Sequence, residues 1–334
     1  MLDFQRKYDT ILGKKKLEFG ILKMNESNTK NEANIKMEIK YEMCKMHDGT
    51  FIHLARFEPK NSPKGVIQIV HGFGEHIDCY GEVVEFFNAK GYICVIHDMR
   101  GFGRMPKKTK KQREKLQGIV SNYKLLSEDV WTIRTMIGDW YPNIPVFLYG
   151  HSMGGSVAIS CLLDKLQSRY EKLILEAPWF ALHTPISMYK NIRSRIYAKI
   201  SHKIASDSSR VAKNTEQIGR SGKTEEVIET LDKEVAPEKT ERDEFCHRRI
   251  SLRLFTQGLD AGTYAIKNAR GIILPTLVIF GGKDKVVCIE SIRKFCKEAD
   301  DNVIMEEYPD SYHTLHADAL KTEILTRVID FCEN

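Results

Sequence analysis

A chain of 334 residues, 42% apolar and 29% charged, is long enough for one large core with an insertion and too polar for a fibrous or membrane-embedded protein. No run approaches the length of a transmembrane helix, and the first twenty residues lack the apolar stretch of a secretory signal. The net charge of +6 is densest at residues 107–115 (KKTKKQREK), which lack interleaved aromatics and read as a solvated loop, with no nucleic acid as partner. The eight cysteines include no C-x-x-C pair and read as reduced thiols of a cytoplasmic protein, neither a disulfide framework nor a zinc site.

Residues 1–35 are polar and predict a loose N-terminal extension, with a short helix near 3–12. Alternation over 37–46, the turn His47-Asp48-Gly49-Thr50 and the apolar run 51–57 predict a β-hairpin. Residues 65–70 form the next strand and run into His71-Gly72-Phe73-Gly74-Glu75-His76. A helix over 80–89 follows, then a strand over 92–96 that ends at His97-Asp98-Met99-Arg100-Gly101-Phe102-Gly103. Beyond the basic run come a helix over 125–141, strands over 145–149 and 173–178 with a helix over 156–163 between them, and strands over 272–280 and 303–305. Strands alternating with helices predict a mostly parallel, doubly wound α/β sheet. Residues 181–271 break the rhythm, with seventeen Lys/Arg, twelve Asp/Glu and few strand signals. The expected organisation is therefore a core over 36–180 and 272–334, interrupted by a helical cap over 181–271 at the C-terminal edge of the sheet, where such folds bind ligands.

Gly150-His151-Ser152-Met153-Gly154-Gly155 directly follows the run Val146-Phe147-Leu148-Tyr149. This is the G-x-S-x-G turn that lifts a serine hydroxyl clear of a strand end. A serine needs a base to take its proton, and the base needs a carboxylate to hold its tautomer. Asp284, after Gly281-Gly282-Lys283, and His313, within Ser311-Tyr312-His313-Thr314-Leu315-His316, occur in the order Ser, Asp, His that this fold uses. His316 competes with His313 and spacing does not separate them; Asp310 competes weakly with Asp284. An oxyanion requires preorganised N–H donors, expected from the backbones of Met153 and Phe73. His71, Glu75 and His76 read as braces of these loops, and Trp179 and Phe180 as candidate walls of a substrate pocket. There is no dinucleotide fingerprint, no phosphate-binding loop and no H-E-x-x-H, and the proposed chemistry needs neither cofactor nor metal.

The strings at 71–76, 97–104, 150–155, 282–284 and 312–316 together resemble the monoacylglycerol lipase and lysophospholipase branch of the α/β-hydrolase fold. The resemblance runs from about residue 40 to the C-terminus, and in the insertion it is one of position only. It implies Ser152 as nucleophile, Asp284 as acid, His313 rather than His316 as base, an oxyanion hole at Phe73 and Met153, and a cap over an acyl pocket. Met105-Pro106 and the lysine-rich segment depart from the family's short loop. The reaction expected is hydrolysis of a monoacyl lipid ester through an acyl-enzyme, with transient contact between the protein and an anionic membrane surface. A small-molecule esterase, thioesterase or peptidase is the alternative, and a non-catalytic binder the remote one.

Overall fold

The computed structural model describes residues 38–183 and 243–334, apart from residue 248. The expected N-terminal helix, and residues 184–242 of the expected cap, lie outside the described residues. Strands β1 (Glu38–Lys45), β2 (Phe51–Glu58), β3 (Gly65–Val70), β4 (Tyr92–His97), β5 (Val146–His151), β6 (Lys172–Glu176), β7 (Thr276–Gly281) and β8 (Val303–Tyr308) form one sheet. Helices α1 (Gly81–Ala89), α2 (Lys110–Leu116), α3 (Lys124–Trp140), α4 (Met153–Asp164), α5 (Leu252–Lys267), α6 (Ile289–Glu298) and α7 (Lys321–Glu333) follow in chain order. The sheet order is β1-β2-β4-β3-β5-β6-β7-β8. β1 and β2 form an antiparallel hairpin, β2 pairs antiparallel with β4, and every other pairing is parallel.

Burial explains the pattern. β3, β4, β5 and β7 are buried at every position, as parallel strands covered on both faces must be. Gln68 is the polar exception at the centre of β3. Its Nε2 donates to the Val130 carbonyl at 2.9 Å, and its Oε1 accepts from the Tyr170 hydroxyl at 2.8 Å, so the side chain ties the sheet to α3 and to the approach to β6.

The chain leaves β3 for β4 on one side and later returns to β5 on the other, so β3 is where the winding reverses. Ligands bind beyond the strand C-termini at such a point. The register there sets Val70 beside Gly150, His151 beside Glu176 and Gly281 beside Tyr308. The segments that follow β3, β5, β6, β7 and β8 thus emerge along one edge.

Three local expectations are corrected. The basic run is not a loop: Thr109 and Gln112 form a capping box, and the buried Arg113 pairs with Glu244 at 2.7 Å while lying over the Phe245 ring, which lets α2 form within a charged sequence. The strand predicted to begin at 272 begins at Thr276, since Pro275 has no N–H for the ladder and only its carbonyl engages Leu173. β8 runs through Glu306 and Glu307 to Tyr308, because Arg327 and Arg293 bond those carboxylates, each at 2.6 Å.

Helix α5, which the sequence reading groups with the insertion, packs against α4 and α6. Gly262 also lets α5 approach the segment after β6, since a Cβ there would sit 2.1 Å from the Phe180 carbonyl oxygen. Among the described residues no helix is long and apolar enough to cross a membrane.

Replacing Tyr170 by Phe leaves Gln68 Oε1 buried without its donor. The expected cost is about 1–3 kcal/mol, read as a lower urea midpoint at unchanged slope.

Candidate active site

The turn between β5 and α4 places Ser152 at φ 51° and ψ −118°, a conformation that L-residues rarely adopt. Neighbouring backbone holds it there. Ser152 N–H donates to the Glu176 carbonyl at 2.9 Å, and its own carbonyl accepts from Trp179 N–H at 2.9 Å. Gly154 is required by the same close approach, because a Cβ there would lie 2.1 Å from the Val70 carbonyl oxygen at the end of β3.

His313 Nε2 lies 2.9 Å from Ser152 Oγ, and its Nδ1 lies 2.7 Å from Asp284 Oδ2. The other carboxylate oxygen of Asp284 accepts from the amides of Val286 and Val287 at 2.7 and 3.0 Å. With Nδ1–H directed at the carboxylate, Nε2 faces the hydroxyl as an acceptor. Ser152, Asp284 and His313 are all buried.

Met153 is the first residue of α4, where helix amides have no intrahelical acceptor. Among the described residues neither the Met153 nor the Phe73 amide has a hydrogen-bond acceptor. The Phe73 loop is braced from both sides. His71 Nδ1–H donates to the Gly72 carbonyl at 2.8 Å and its Nε2 accepts from Met99 N–H at 2.9 Å, while burial pushes its pKa down and keeps it neutral. Glu75 Oε2 accepts from Gly72 N–H at 2.6 Å and the Tyr80 hydroxyl at 2.7 Å. Burial pushes Glu75 up, but His151, His316 and Tyr80 outweigh it and hold the carboxyl well below the usual range.

A second buried network lies behind the first, and sequence reasoning missed it. Glu176 ends β6 with its side chain fully buried. It accepts from the Tyr149 hydroxyl, from His316 N–H at 3.1 Å and from His316 Nδ1 at 2.9 Å. Burial pushes its pKa up, yet His316 and His151 prevail and bring it down to about 2. His316 is correspondingly raised: burial lowers it and Glu176 more than compensates. The His151 ring sits 5.1 Å from that of His313 and 4.9 Å from that of His316. The available signal was a carboxylate closing the otherwise apolar run Leu173-Ile174-Leu175-Glu176.

His316 therefore binds Glu176, whereas His313 reaches Ser152. Asp310 is exposed and pairs with Lys283 at 2.7 Å. Trp179 and Phe180 are buried. Both rings lie in the core, that of Trp179 on Phe255 at 6.2 Å and that of Phe180 on Phe295 at 4.6 Å, and the Trp179 amide bonds the Ser152 carbonyl. Among the described residues two groups of side chains have the composition of metal ligands: His151, Glu176 and His316, which already engage one another, and His76, Cys79 and Cys246.

A strained serine, a histidine and a carboxylate in one hydrogen-bonded line, at the C-terminal edge of this sheet, define a serine hydrolase of the α/β-hydrolase fold. Residues 61–319 match the family described as serine aminopeptidase, S33, and the chain belongs to that family. A relative from Schizosaccharomyces pombe is 27% identical over 269 residues, which cover 77% of this chain but only 64% of that protein. A monoacylglycerol lipase from Mycolicibacterium smegmatis is 24% identical over 262 residues, covering 76% of this chain and 83% of that one. Among solved structures, a soluble variant of the Saccharomyces cerevisiae monoglyceride lipase in complex with a substrate analog superposes with a TM-score of 0.66 at 19% identity, covering 89% of this chain and 94% of that one. This last likeness is one of fold.

The Glu176–His316 pair makes stability depend on pH. Glu176, lowered from 4.5 to about 2, contributes stability that is present above pH 4.5 and lost as the pH falls toward 2. His316, raised above 6.5, contributes stability that is present below that value and lost as the pH climbs through its raised pKa. Glu176→Gln should lower stability near pH 6 by about 3 kcal/mol and flatten the acid limb in a thermal-melt series from pH 7 to 2.

Proposed function

We propose that the chain hydrolyses carboxylic esters of monoacyl lipids, a monoacylglycerol or lysophospholipid, through an acyl-enzyme on Ser152. The observation that supports this most directly is the Asp284–His313–Ser152 line, with a 2.9 Å bond at the hydroxyl. In this reading His313 takes the Ser152 proton as Oγ attacks the ester carbonyl, and the amides of Phe73 and Met153 receive the oxyanion. His313 then delivers the proton to the leaving alcohol. Water repeats both steps on the acyl-enzyme while Asp284 steadies the imidazolium. The lipid assignment draws on the sequence resemblance and on relatives that include the monoglyceride lipase of Rattus norvegicus, 23% identical over 274 residues, and phospholipase YtpA of Bacillus subtilis, 27% identical over 256.

An aminopeptidase reading requires a carboxylate with room to receive a substrate ammonium. Among the described residues, Glu75 and Glu176 are the carboxylates that back the Ser152 turn. Both are engaged by His151, Tyr80, Tyr149, His316 and the Gly72 amide. That favours esters. Membrane contact belongs to the same reading: Arg113 is buried, but the lysines of α2 and its approach remain exposed.

Measured kcat/KM should favour medium- and long-chain monoacyl esters over acetate esters and aminoacyl amides; equal rates on acetate esters would sink the lipid assignment. Ser152→Ala should abolish labelling by a serine-reactive phosphonate and lower kcat by about 10⁶-fold, and Asp284→Asn should lower it by about 10⁴-fold.

A further inference from the structure

We propose that His76, Cys79 and Cys246 form a binding site for a zinc-class divalent metal ion, oriented by Asp243, that fastens the end of the insertion to the loop carrying Phe73. Cys79 and Cys246 are 167 positions apart in sequence, yet their Sγ atoms lie 3.7 Å apart. A ring nitrogen of His76 lies within 4.8 Å of both sulfurs. Both cysteines are free, Cys79 is exposed and Cys246 half-buried, so an ion can reach them.

The distances suit a metal. Two thiolates on a tetrahedral ion with metal–sulfur bonds of about 2.3 Å are separated by roughly 3.8 Å. A disulfide would need the sulfurs to close to about 2.05 Å. Two thiolates and an imidazole form a soft to borderline donor set, which selects zinc over magnesium or calcium. The histidine is also prepared for the role. His76 is buried, and its Nε2 lies 2.7 Å from Asp243 Oδ2. A carboxylate on one ring nitrogen is the usual partner of a histidine that binds metal through the other. Nδ1 is then the ligand, in exchange for its long 3.3 Å contact from the Asp78 amide. Binding involves no oxidation: the ion takes two thiolates and one imidazole nitrogen, and the two thiol protons pass to solvent.

The site lies where two segments already meet. His247 N–H donates to the Gly74 carbonyl at 3.3 Å, and its ring stacks on Phe102 at 5.0 Å. The Phe245 ring packs edge-on against His76 at 5.7 Å. An ion at Cys79 and Cys246 would tie together distant parts of the chain, raising stability with the logarithm of free metal once its concentration exceeds Kd.

The test uses the full chain, reduced, stripped with a chelator and titrated with Zn²⁺ and then Co²⁺, with no substrate present, so failure of the esterase reading does not affect it. The expected result is one equivalent bound, proton release on binding, a zinc-dependent rise in Tm, and thiolate charge-transfer and intense visible bands in the Co²⁺ form. The Cys79→Ser, Cys246→Ser double variant should lose the charge-transfer bands and the Tm response. Asp243→Asn, a milder change, should weaken affinity by about 10–100-fold while leaving both thiolates in place. Overturning results are no stoichiometric binding by the reduced chain, binding that both variants retain, or a Cys79–Cys246 disulfide formed in air by a chain whose reduced form has no metal affinity.

Discussion

The strained turn at Ser152 is the constraint on which the rest of the site depends. A residue at φ 51° does not stay there by its own preference. It stays because the segment ending β6 accepts its amide hydrogen, and the next residues of that segment donate back to its carbonyl. Gly154 then lets α4 start against the end of β3. The serine is thereby referenced to the sheet itself, and His313 and Asp284, carried by loops after β8 and β7, meet it by register rather than by chain proximity.

Placing that turn at a sheet edge crowded with ionisable groups has an electrostatic cost, which the buried network offsets. Glu75 and Glu176 are both inside and both ionised, and each is neutralised by histidine and hydroxyl donors instead of solvent. Removing one member leaves another charge in a low-dielectric interior, so the group stands or falls together. His151, the residue before the serine, packs between the His313 and His316 rings and joins the two layers.

Much of this was legible in the chain, for a physical reason: parallel strands buried on both faces appear as apolar runs, and the chemistry sits in the short strings that follow them. The serine turn, Asp284 and the pair His313 and His316 could be read from such strings one at a time. Which histidine faced the hydroxyl could not be read from spacing, because His313 and His316 differ only in where the β6 carboxylate lies. Glu176 lay unremarked inside the strand read over 173–178, since its role depends on pairing β5 with β6 at His151 and Glu176. Helix α2 was obscured by its own charge; its cap was local, but the acidic partner of Arg113 lay at residue 244. The meeting of Cys79 and Cys246 had no local signature at all.

The described chain on either side of residues 184–242 is held to the core at two separate anchors. On the outgoing side Leu182 bridges to Val287, three residues from Asp284. On the returning side His247 and Ser251 dock onto Gly74 and Gly118. Neither anchor is a strand of the sheet's interior, and the strands on either side, β6 and β7, pair directly with each other. Both anchors therefore sit on loops beside the reacting groups, outside the pairing of β6 with β7. The pairing that sets the loops of Asp284 and His313 against Ser152 is thus complete within the sheet, and the chain between the two anchors supplies none of it.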